Sequence, residues 1–99
     1  MSPTATITPT PIQELVIYPN PCNFALSYGG TLKILLPQRA DVYIYNIQGY
    51  KVFEALGVTG RIEWDGKNRE GEDTAPGVYF YIVEMSGERY RGRILTARQ

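Results

Sequence analysis

The sequence predicts an all-β domain, a two-sheet antiparallel sandwich of seven strands. Three observations carry this. Apolar residues recur at the two-residue period of a strand, and no segment keeps the 3.6-residue period of an amphipathic helix. Turn signals built from Gly, Pro, Asn and Asp separate the apolar segments. The chain of 99 residues holds 10 Gly, 7 Pro and 8 Tyr, a composition suited to short strands and tight turns. That length suits one domain with a modest core.

Residues 1–13 carry no charged side chain and alternate Thr4, Thr6, Thr8 and Thr10 with Pro3, Pro9 and Pro11. Proline fixes φ and removes a donor, so this stretch reads as a semi-rigid Thr/Pro-rich linker ahead of a sandwich domain over 14–99. The first strand is expected over 15–18, stopped by Pro19 and Pro21. The second covers 31–36 with Leu32, Ile34 and Leu36 on one face, and Pro37 is expected to end it. A third, 41–47, sets Val42 and Ile44 against Tyr43 and Tyr45. Gln48 and Gly49 turn the chain into a fourth over 51–54. Residues 61–64 place Ile62 and Trp64 inward. Residues 77–84 are apolar on both faces, as in a central strand covered on both sides. Residues 89–94 alternate three arginines with Tyr90, Gly92 and Ile94.

Ten basic and ten acidic residues cancel, which argues against a nucleic-acid binder or a polybasic membrane-surface module. Histidine is absent, and Cys22 is the single cysteine. That removes His-based acid–base chemistry, an internal disulfide and thiolate zinc clusters. Ser2, Ser27 and Ser86 have no base partner in the inventory, so the chain is read as non-catalytic with no cofactor. No apolar run is long enough for a helical membrane span. No basic segment followed by an apolar one opens the chain, so any export signal is expected in a longer precursor.

Four motifs stand in order: YPNP (Tyr18, Pro19, Asn20, Pro21), IYNIQG from Ile44, WDGKNREG from Trp64, and APGVYFY from Ala75. Their order and spacing resemble the C-terminal immunoglobulin-like domains of the type IX secretion sorting group (type A). The Ig-like domain of the flagellar hook-capping protein FlgD is related. The resemblance implies a seven-stranded immunoglobulin-like β-sandwich at the end of a larger exported bacterial protein. It implies a role in secretion sorting or surface attachment of N-terminal cargo, at the cell surface or outside the cell. It also implies that Tyr79, after Gly77, points inward with its hydroxyl bonded to backbone. Cys22 stands where the family usually has Phe, so that pocket is smaller or refilled by Phe24. The end, from Thr96 to Gln99, differs from the basic, lysine-terminated end common in sorting members.

Several groups carry alternative readings. Residues 65–73, opening on Asp65 and Gly66, hold carboxylates and amides around glycines, as a calcium loop would. Lys67 and Arg69 oppose a cation there, and an Asx-type turn is the competing reading. Trp64 is read as core. Tyr43, Tyr45 and Phe53 are expected in a row on the outer face of one sheet, where they either stack on carbohydrate or a protein partner or pair across strands. Arg89, Arg91 and Arg93, beside Arg98, form a basic row that either guards an edge strand or meets the secretion or attachment machinery. Cys22 reads as a small buried hydrophobe. The open functions are a sorting or attachment module, a carbohydrate- or protein-binding module, and a spacer of an extracellular assembly. A monomer is expected.

Overall fold

The computed structural model describes residues 15–25 and 30–98, so the linker expected over 1–13 lies outside the described residues. The described chain is all-β with six strands: β1 (Val16–Tyr18), β2 (Cys22–Asn23), β3 (Leu32–Tyr45), β4 (Lys51–Trp64), β5 (Gly77–Met85) and β6 (Glu88–Ala97). They form one hydrogen-bonded sheet in the order β1-β3-β5-β6-β2, with β4 on β3. The sheet folds over on itself. The first part of β3 pairs β1 and the end of β4, whereas its second part, from Ala40, pairs the start of β4 and β5.

Among the described residues six strands stand where seven were expected. Residues 31–36 and 41–47 lie on one strand, β3, and residues 51–54 and 61–64 are the two ends of β4. Pro37 does not end its strand, because it sits where the β3–β4 register shifts between Leu36 and Ala40. A missing N–H is tolerated at such a bulge. Opposite it, Gly57 and Gly60 hold φ of +63° and +83°, which lets β4 bend with its partner. The Asp41 carboxylate fastens the corner by accepting the Gly57 N–H at 2.7 Å. The sheet is also not purely antiparallel. β2, absent from the sequence reading, runs parallel to β6 with Cys22 opposite Thr96.

Both halves turn their apolar faces to one core. Leu32, Ile34, Leu36 and Trp64 meet Val42, Ile44, Val83, Met85 and Ile94 there. Trp64 is 1% exposed. Its ring packs edge-on against Phe24 at 5.2 Å and Tyr79 at 5.5 Å, and its Nε1 donates to the Lys67 carbonyl at 2.9 Å. Cys22 is fully buried, and burial pushes its thiol pKa up, partly offset by the charge of Lys33. Phe24 thus fills space against Trp64, next to the small Cys22. The β5–β6 hairpin closes through Ser86 and Gly87, both at positive φ (54° and 77°), as a twisted two-residue turn requires.

Candidate functional site

The outer face of the larger half brings together two groups that the sequence keeps forty residues apart. The strand registers align Tyr45, Phe80 and Arg93 in one row and Tyr43, Ile82 and Arg91 in the next. β4 adds Lys51 beside Tyr45 and Glu54 beside Tyr43. Asp41, Glu84 and Arg89 make a further row, and Val78 with Leu95 another. The result is an apolar stripe bordered by the basic column of β6.

Phe80 is 38% exposed and Leu95 47%, so nothing among the described residues covers the outer side of β5. The expectation of a central strand covered on both faces is therefore wrong for its outer face. Phe80 and Leu95 were missed as surface residues, although for Phe80 the two-sided apolarity of residues 77–84 was a signal. A core strand and a strand with a sticky outer face look alike in sequence.

Phe53 does not join the aromatic row. The register shift between Ile44 and Tyr45 sets Phe53 opposite Ile44, on the inner face, 6.4 Å from the Trp64 ring. Tyr43 and Tyr45 remain outside with ring centroids 6.5 Å apart. Lys51 Nζ lies 5.4 Å from the Tyr43 ring centre and 3.4 Å from Glu54.

The arginines divide as well. Arg89, Arg91 and Arg93 are exposed on β6. Arg89 meets Glu84 at 3.0 Å, whereas Arg91 and Arg93 form no salt bridge among the described residues. Arg98 is not part of this surface. Its Nε donates to the Thr74 carbonyl at 2.8 Å and its Nη2 to the Gly66 carbonyl at 2.6 Å. Its guanidinium also lies 5.1 Å from the Phe24 ring centre and 3.6 Å from Asp73. Arg98 therefore clasps the loop after β4 to the end of β6. Arg98→Ala is expected to destabilise the domain by about 1.5–3 kcal/mol, the range for hydrogen bonds from a charged donor. Urea unfolding of the purified variant measures this, and an unchanged midpoint would remove the clasp.

The loop over 65–74 uses its polar groups internally. The Asp65 carboxylate accepts the Lys67 N–H at 3.1 Å, and Asn68 Oδ1 accepts the N–H groups of Glu70 and Glu72, each at 2.9 Å. Lys67 Nζ donates to Asp73 at 2.8 Å. That hydrogen bond, with the nearby charge of Arg98, holds the Asp73 carboxyl below its ordinary pKa. Among the described residues, no three His, Cys, Asp or Glu side chains group as metal ligands. These contacts fit the turn reading. Millimolar calcium or EDTA should leave the melting temperature unchanged, and a calcium-dependent rise would restore the ion-loop reading.

YPNP carries the chain from β1 in one half to β2 in the other. Asn20 ties this crossing to β6: its Nδ2 donates to the Arg93 carbonyl and its Oδ1 accepts the Leu95 N–H, both at 3.0 Å. Tyr79 is buried and donates its hydroxyl to the Ala75 carbonyl at 2.5 Å.

The chain belongs to the type IX secretion signal domain family CHU_C, whose model matches residues 28–95. Among solved structures it is similar to a chain from a study of PorZ. That study describes PorZ as an essential bacterial surface component of the type IX secretion system of Porphyromonas gingivalis. The TM-score is 0.71 at 24% identity, over 88% of this chain and 12% of that one. At that identity the likeness shows the shared fold, and this chain spans a small part of the longer protein. No match is found among curated proteins.

Proposed function

We propose that this domain is a non-catalytic C-terminal module that directs N-terminal cargo of the same precursor through type IX secretion to the cell surface. Membership of the secretion signal family carries the reading. Arg91 and Arg93 on the last strand, exposed and in no salt bridge among the described residues, support it, since a folded module without catalytic groups acts through its surface. The secretion or attachment machinery is then the partner, and an acidic surface on it matches the arginine column.

The test is a reporter fused ahead of residues 1–99 in a bacterium that has the export system. The intact fusion should reach the medium or cell surface. The double variant Arg91→Glu/Arg93→Glu should reduce export while leaving the melting temperature near wild type, because neither side chain touches the core. Deleting the last ten residues is a poor substitute: it removes most of β6, including the buried Ile94, and so unfolds the sheet. A reporter that stays inside with the intact domain overturns the sorting reading.

A further inference from the structure

We infer that the free edge of β6 accepts an extended partner segment as an added strand, and that this segment carries carboxylates at alternate positions. The inference rests on the reading of β6 as the recognised strand and deepens it.

The backbone dictates the edge. Along a strand, the N–H and C=O of one residue point to the same side, and residues two apart share that side. Asn20 reaches the Arg93 carbonyl and the Leu95 N–H, and the Ala97 carbonyl accepts the Phe24 N–H at 3.0 Å. Odd-numbered residues of β6 therefore aim their polar backbone groups away from β5. By the same alternation, so do Arg89 and Arg91. β2 pairs β6 only at Thr96 and Ala97, and Asn20 blocks the edge at Arg93 and Leu95. Among the described residues no strand pairs β6 before that point. Among the described residues the edge is thus open from Glu88 to Arg91 and has a fixed stop.

The side chains choose the occupant. Arg89, Arg91 and Arg93 project from the outer face about 6.8 Å apart. A strand added at the open part of the edge places its own outer-face side chains within about 5.5 Å of Arg89 and Arg91, and near Arg93 at its end, where opposite charges attract and like charges repel. Carboxylates at every second position fit this column. The alternate positions fall on the inner side beside half-buried Tyr90 and Gly92, and Tyr81 packs over Gly92. Apolar residues fit there. A second copy of this chain would set arginine against arginine, so the same column disfavours edge-to-edge self-association. Adding a strand to an exposed edge is a general mode of peptide recognition, with affinity from the main chain and selectivity from alternate side chains.

The test is amide hydrogen exchange by NMR on the 99-residue chain, titrated with a seven-residue peptide alternating glutamate and valine. In the free protein the Arg89 and Arg91 amides should exchange faster than those of Tyr90 and Gly92, which face β5. The peptide should slow Arg89 and Arg91 selectively. The same peptide with lysine for glutamate should not, and Arg91→Glu/Arg93→Glu should weaken binding about tenfold or more. Binding without protection of those two amides overturns the inference in favour of charge attraction alone. Protection that appears without peptide and grows with protein concentration overturns it in favour of a second copy. Lost edge protection with export intact leaves the sorting reading standing. Edge protection with no export defect in the double variant instead counts against β6 as the surface that sorting uses.

Discussion

Trp64→Ala is expected to lower unfolding stability by about 3–5 kcal/mol, the range for removing a buried large aromatic. Trp64 is fully buried where the two halves meet, and its ring touches Phe24, Phe53 and Tyr79. Truncation leaves a cavity that three aromatic rings cannot all collapse into, and it leaves the Lys67 carbonyl without its Nε1 donor. In a domain of marginal stability, a loss of this size can leave the variant unfolded. Trp64→Phe, which keeps a ring and loses only the donor and some volume, should fall between the two and give a measurable urea midpoint. Because Trp64 is the single tryptophan, the folded wild type should show blue-shifted emission and weak acrylamide quenching. Red-shifted, readily quenched emission from the folded protein would contradict the packing.

Gly66→Ala is expected to destabilise by about 2–4 kcal/mol. Gly66 holds φ of +78°, and a Cβ there would lie 2.6 Å from the Phe24 ring and 2.8 Å from Arg98 Nη2. The backbone term alone is about 1–2 kcal/mol for a residue with a Cβ. The remainder comes from displacing Phe24, which is wedged against Trp64, and the Arg98 clasp. Gly71 supplies the comparison: its φ is +84° and a Cβ would meet nothing within 4 Å. Gly71→Ala should show the backbone term only. Equal losses for the two variants in urea unfolding would mean that Phe24 and Arg98 do not pack on Gly66 as described.

Much of the architecture was legible because it rests on local chemistry. The alternation of Leu32, Ile34 and Leu36, and of Val42 and Ile44, sets which side chains face inward, and that phase holds. Trp64 and Tyr79 are buried as read, because large rings with one polar atom find both a core and a carbonyl acceptor. The turn reading of residues 65–73 follows from Asp65 and Asn68, which satisfy backbone N–H groups two and four residues on.

Where the reading departs from the structure, pairing decided. Pro37 looks like a stop, yet β3 continues because β4 bends with it across Gly57 and Gly60. Phe53 looks outward by simple alternation, but one register shift turns it to the core, since a single-residue slip exchanges the faces of a strand. By its place in the chain Arg98 extends the arginine row, yet it folds under to hold Gly66 and Thr74. The sequence by itself determined most of the strand phases, the central core residues and the turn chemistry, because those depend on neighbours two to four residues away. Only the tertiary structure decided that Tyr43 and Tyr45 share a face with Arg91 and Arg93, and that the Asn20 amide closes one end of β6 while no described strand pairs the other. Those arrangements join residues from 46 to 75 positions apart, and their register is set by the packing of the whole sheet rather than by any local pattern.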